Sequence, residues 1–270
     1  MQDAITQEDF LAPEAREFYC QALNLLQQAQ VPFLIGGAFA FERFTGIKRD
    51  TKDIDLFAHP DDVPRILEVF AEAGYETEYA VPHWLAKARR GARFVDFIFN
   101  SAHGQLPVSH VWFEHAVDAE VLGIAVKICS PEEMIWSKSY VMARDRYDGA
   151  DIAHLILACG KTMNWARLLD QFGDHWRVLM SHLVLYGFIY PGQRSHIPAW
   201  VMQTLSERLL QETEDVPGAE DLCQGGLLAP LQYLTDLERW GYHDGRVEPV
   251  GVLEPEDVAQ WTEHLQEEKA

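Results

Sequence analysis

Asp53 and Asp55 stand two positions apart in the run Lys52-Asp-Ile-Asp-Leu-Phe57. In a strand, residues two apart project from one face. The two carboxylates therefore lie side by side, while Ile54 and Leu56 turn the other way into a core. Neighbouring carboxylates repel, and folding has little use for them. A hard divalent cation relieves the repulsion, and Mg²⁺ suits one or two carboxylates plus the phosphates of a substrate. Upstream, the apolar run Phe33-Leu-Ile35 leads into Gly36-Gly37. A glycine pair permits a tight strand-to-helix turn, and the amides at the helix start after it can receive phosphate oxygens. A third carboxylate, Asp96, interrupts the apolar segment Arg93-Phe-Val-Asp-Phe-Ile-Phe99. A carboxylate on an otherwise buried strand needs a compensating partner.

The glycine pair, the fifteen residues that follow it and Asp-Ile-Asp on a strand together resemble the signature of the nucleotidyltransferase (DNA polymerase β-like) superfamily. The run Arg49, Thr51, Lys52, Asp53, Ile54, Asp55 is most similar to the branch holding aminoglycoside 2″-nucleotidyltransferases and the nucleotidyltransferase toxins of abortive-infection systems. The resemblance covers roughly the first half of the chain. It implies transfer of a nucleoside monophosphate from an NTP to an acceptor hydroxyl, with release of pyrophosphate. By the same resemblance Asp53, Asp55 and Asp96 are the catalytic and metal-binding residues, with Mg²⁺ as cofactor. Asp96 either completes a second metal site or takes the acceptor proton. Gly36, Gly37, Arg49 and Thr51 would meet the nucleotide, the guanidinium and hydroxyl on its phosphate oxygens.

A second motif runs from Trp136 to His154. Its order Lys138, Arg146, Asp148, Asp151 resembles the helical motif that follows the core in abortive-infection nucleotidyltransferases, where a lysine helps hold the nucleotide phosphates. The resemblance assigns Lys138 and Asp148 to nucleotide binding. The lysine-to-arginine spacing departs from the family pattern, so no role passes to Arg144 or Arg146. The plainer reading is a charged helix–turn–helix with intrahelical ion pairs.

Hydropathy patterning supplies the elements that must position these groups. Apolar residues at helical spacing predict an amphipathic helix over Pro13 to Gln30. Strands follow over 31–35 and 53–58, around a short helix over 38–44. Asp61 and Asp62 open a helix over 60–73, which Gly74 ends. Further strands are expected over 75–80 and 92–100, and a hairpin over 117–128. The stretch 83–91, with Lys87, Arg89 and Arg90, reads as a turn or short helix. Ser130-Pro131-Glu132-Glu133 is a helix start. Beyond it the pattern is helical, over 134–143, 151–158, 165–190, 197–211, 227–240 and 255–268. The expected architecture is α/β (α+β): a mixed-sheet core over residues 1–130, then an all-helical domain over 131–270, with the site in the cleft between them.

Composition narrows the function classes. With 42 Asp+Glu against 22 Lys+Arg, the net charge is −20. Such a chain repels nucleic acid and anionic membrane. It suits a small or cationic acceptor, or a basic protein partner. The expected partners are an NTP donor and a small-molecule acceptor. The competing readings are a toxin-like nucleotidyltransferase acting on tRNA or protein, and a non-catalytic binding protein that keeps the fold. Cys20, Cys129, Cys159 and Cys223 are scattered, with no Cys-x-x-Cys. They read as reduced thiols of a cytoplasmic protein. The acidic, polar first residues do not read as a signal peptide, and the longest apolar run, 178–190, is too short to span a bilayer.

Overall fold

A computed structural model describes residues 11–49, 51, 53–101, 106–216 and 218–267. Lys52 of the aspartate motif, the first residues of the chain and Glu268 lie outside the described residues. The chain divides into two compact units, Met1–Ser130 and Pro131–Ala270.

The first unit is built on a seven-stranded mixed sheet. Its chain order is α1 (Pro13–Gln28), β1 (Leu34–Ile35), α2 (Gly37–Thr45), β2 (Asp55–Phe57), α3 (Val63–Glu72), β3 (Glu76–Val81), β4 (Leu85–Arg90), β5 (Arg93–Ile98), β6 (Asn100–Ser101), β7 (Leu106–Pro107), α4 (His110–Glu114), β8 (Val117–Val121) and β9 (Ile124–Ile128). The strands lie in the order β3-β4-β5-β2-β1-β9-β8, and β6 pairs separately with β7. The central pair is parallel: β2 runs with β5, bringing Asp55 opposite Asp96. β1 is antiparallel to β2 and parallel to β9. α1 packs on α3 and β5. Ala15, Phe18, Tyr19, Ala22, Leu23 and Leu26 are its buried residues.

The stretch expected to be a turn or short helix over 83–91 is largely the strand β4. Two of its basic residues are matched by acids on the neighbouring strands, which offsets the cost of placing them in a sheet, whereas Arg90 stands opposite Arg93. Lys87 stands opposite Asp96, and Arg89 pairs with Glu78 on β3.

The second unit is helical: α5 (Pro131–Lys138), α6 (Gly149–Cys159), α7 (Trp165–Phe172), α8 (Trp176–Ile189), α9 (Ala199–Gln211), α10 (Leu234–Glu238) and α11 (Pro255–Glu267). One two-residue parallel pair, β10 (Leu222–Cys223) with β11 (His243–Asp244), sits among them. The helix expected over 165–190 is broken. Gly173 adopts φ +46° and closes α7 by donating to the Leu169 carbonyl. The stretch expected to be a helix over 227–240 holds only short 3₁₀ turns and α10. Pro230 explains part of this, since proline brings no N–H to a helix interior. Inside the unit, Glu133 is fully buried and is clasped by Arg167, which also reaches Glu132 at 2.9 Å.

Candidate active site

The site begins at the turn after β1. Gly36 caps α2 and donates its N–H to the Asp55 carbonyl at 2.9 Å. A β-carbon on Gly36 would lie 2.3 Å from the Phe57 ring. Gly37 has φ +51°, and a β-carbon there would stand 1.7 Å from Asp55 Oδ2. Only glycine fits both the backbone conformation and the space. The Asp55 carboxylate therefore lies against the first turn of α2, at the positive end of its dipole.

The strand pattern places the remaining acids. Ile54 and Leu56 are buried, whereas Asp53 and Asp55 are half-buried. Asp53 precedes β2, and the Thr51 hydroxyl reaches its Oδ1 at 2.9 Å and its backbone carbonyl at 3.1 Å. In this structure Thr51 thus orients Asp53. Asp96 is an interior residue of the sheet and donates its N–H to the Ile54 carbonyl at 3.2 Å. Its Oδ1 lies 3.4 Å from Lys87 Nζ. Arg49 stacks over the Phe41 ring of α2 at 4.3 Å.

Tyr19 of α1 lies within reach of the charge of the three acids. Its side chain is buried. Its hydroxyl is pushed up to about 12, first by burial and then by the charges of Asp53, Asp96 and Asp55, with Arg93 opposing. All three carboxylates therefore bear on one phenol. The spacing Tyr19, Ala22, Leu26 on the buried side of α1 was the available signal for Tyr19. An apolar reading of that helix gives the phenol no role. Lys87 was equally hidden, because its strand does not read as one.

Among the described residues, no group of three or more His, Cys, Asp or Glu side chains converges as a metal-binding cluster. The pair Asp53 and Asp55 supplies the oxygen donors that a hard cation takes, and the Asp55 carboxylate is seated in the space that a side chain on Gly37 would need. These two residues fit Mg²⁺. Asp96, ion-paired with Lys87, stands one strand away.

In the second unit, Lys138 Nζ lies 2.8 Å from both Asp148 and Asp151. All three side chains are largely buried. Arg146 Nε approaches Asp148 at 3.6 Å but is exposed. The turn over 141–148 brings the acids back to the lysine, with the Asp148 N–H donating to the Val141 carbonyl.

Solved structures to which the chain is similar include the antibiotic-resistance factor ANT(2″)-Ia, at 17% identity and a TM-score of 0.44 over 64% of this chain and 98% of that one. The lincosamide antibiotic adenylyltransferase LnuA matches at 16% identity and a TM-score of 0.38, over 54% of this chain and 96% of its own. JHP933 from Helicobacter pylori matches at 13% and 0.35, over 75% and 96%. No curated protein matches the chain. No helix among the described residues is long and apolar enough to cross a membrane. The family model described as "Uncharacterised nucleotidyltransferase" matches residues 23–185, which span more than half of the sequence and take in β1, β2, β5 and the Lys138 motif, and the chain belongs to that nucleotidyltransferase family.

Proposed function

We propose that this chain is a Mg²⁺-dependent, cytoplasmic nucleotidyltransferase that moves a nucleoside monophosphate from an NTP to a hydroxyl of a small-molecule acceptor. The observation that carries this reading is the seating of Asp55 against Gly37, beside Asp53 and opposite Asp96. Asp53 and Asp55 would hold the metal, which when bound supplies Lewis-acid neutralisation of phosphate charge. Thr51 keeps Asp53 in place. The amides of the first turn of α2 offer donors to phosphate oxygens, and Arg49 adds a planar cation held by Phe41. Asp96 is the candidate to accept the proton of the acceptor hydroxyl, with Lys87 balancing its charge. An ammonium has three donors. Asp148 and Asp151 take two of those on Lys138, and the third is the one proposed for a nucleotide phosphate.

The net charge of −20 supports a small acceptor over a polynucleotide. The test is calorimetric titration of each NTP into the protein, with and without Mg²⁺, repeated on the Asp53→Asn/Asp55→Asn double variant. Metal-dependent binding that the double variant loses is the expected result. Equal binding by the variant would overturn the metal assignment. Transfer of an α-phosphate label to tRNA, and not to small hydroxyl acceptors, would overturn the acceptor class.

A further inference from the structure

Apart from Arg177, Ser181 and His182, helix α8 is apolar around its circumference. Trp176, Leu179, His182, Leu183 and Tyr186 form its buried side. The other side carries Val184, Leu185, Phe188 and Ile189, which are 54, 41, 81 and 46% exposed. A solvated helix face normally carries charge, and a helix apolar all round is one that is covered all round. These four residues recur at i, i+1, i+4 and i+5, so they make one strip along the last turns of α8. Half-buried Ser181 and exposed Arg177 extend it towards the N-terminus. The positions 177, 181, 184 and 188 follow the four-three-four alternation by which two helices interlock.

The charge around this strip is unlike that of the rest of the chain. From residue 175 to residue 206 there is no Asp or Glu, although the sequence holds 42 of them. The two arginines in that stretch are already engaged. Arg177 pairs with Glu212 at 2.8 Å, and Arg194 Nε donates to the Gly187 carbonyl at 2.9 Å. A chain of net −20 repels its own copies over most of its surface. From Val184 to Ile189 the strip itself carries no charged side chain, and the carboxylate at its Arg177 end, Glu212, is matched by that arginine. A lipid surface asks for a basic polar face beside the apolar one, and α8 carries Arg177 alone.

The geometry points to a second copy of this chain as the occupant. Two α8 helices pack across a two-fold axis, with Leu185 and Phe188 at the centre of an isologous interface. The four exposed apolar residues of the strip are fewer than the roughly 20–30 residues a side of a standard interface, so the dimer is expected to depend on concentration.

Sedimentation equilibrium of the full chain tests this, over about 1 to 200 µM, the range suited to an interface below standard size. The mass should rise from 30.8 kDa towards twice that value. Added salt should shift the rise to lower concentration by screening the repulsion between acidic copies. Phe188→Glu should hold the protein monomeric with unchanged circular dichroism, since the side chain it replaces is exposed. Leu185→Cys should cross-link under oxidation, whereas the wild type and Gln203→Cys, on an exposed position of α9, should not. A wild type that stays monomeric throughout, whether or not it pellets with anionic vesicles, overturns the proposal. So does a dimer that survives Phe188→Glu, or that cross-links as well through Gln203→Cys.

Discussion

The Asp55 carboxylate fills the space where Gly37 lacks a side chain: a β-carbon on Gly37 would stand 1.7 Å from Oδ2 and 2.7 Å from Cγ. Gly37→Ala therefore strikes twice. It forces a left-handed backbone on alanine, at a cost of about 1–2 kcal/mol, and it pushes the carboxylate off the first turn of α2. The expected outcome is a modest fall in denaturant midpoint and a loss of transfer of roughly 100-fold, the scale of a misplaced reacting group. Full activity in a folded Gly37→Ala protein would remove Asp55 from the reaction.

Lys87 and Asp96 form a cross-strand pair, with both side chains largely buried. Lys87→Met should destabilise by about 1–3 kcal/mol, because it withdraws a cation from a desolvated carboxylate. Asp96→Asn added to Lys87→Met should restore part of that loss, and a double-mutant cycle on urea midpoints measures the coupling. Activity separates the two residues. Asp96→Asn alone should abolish transfer, whereas Lys87→Met should retain a residue of it.

Tyr19 makes the acidic site visible to a pH titration. Its phenol stays protonated up to about 12 in the folded chain, against an ordinary value of 10.0. A group whose folded value is raised stabilises the fold below its unfolded value and loses that contribution as pH rises through the folded one. Between pH 10 and about 12 the fold should therefore lose up to about 2 kcal/mol from this residue. Burial also holds up the phenols of Tyr75, Tyr140 and Tyr186, so in a spectrophotometric alkaline titration the Tyr19 step is the late step that Tyr19→Phe removes by difference. Substituting Asp53 by Asn should move the step to lower pH. An unmoved step would mean that the carboxylate charge does not reach the phenol.

The sequence reveals the fold best where one physical pattern dominates. Apolar and acidic residues alternate over 53–56, so β2, with Asp55 turned away from the core that takes Ile54 and Leu56, can be read directly, although Asp53 falls just before the strand. The hairpin over 117–128 is equally clear from two alternating runs around Gly123. β4 is obscured because Leu85-Ala-Lys-Ala-Arg-Arg90 looks soluble until Glu78 and Asp96 stand beside it. The break at Gly173 is hidden by apolar periodicity that runs through it. Tertiary pairing also decides what the polar residues do. Thr51 turns to Asp53, and Lys138 meets acids 10 and 13 positions onward, a spacing that no single helix brings together.

That lysine yields the last prediction. Asp148 and Asp151 lie largely buried with Lys138 between them. Exposed Arg146 at 3.6 Å from Asp148 is a weak substitute. Lys138→Met should cost about 3–5 kcal/mol, the usual result of removing one partner from a buried ionic group. Loss of nucleotide binding in that variant would then mix a folding defect with a lost contact. The triple variant Lys138→Met/Asp148→Asn/Asp151→Asn removes the charges together and should recover most of the stability. If the third ammonium donor meets a nucleotide phosphate, this recovered protein should still bind NTP at least tenfold more weakly by calorimetry. Wild-type affinity in the stable triple variant would leave Lys138 and Asp148 as a clasp that joins α5 to α6 and nothing more.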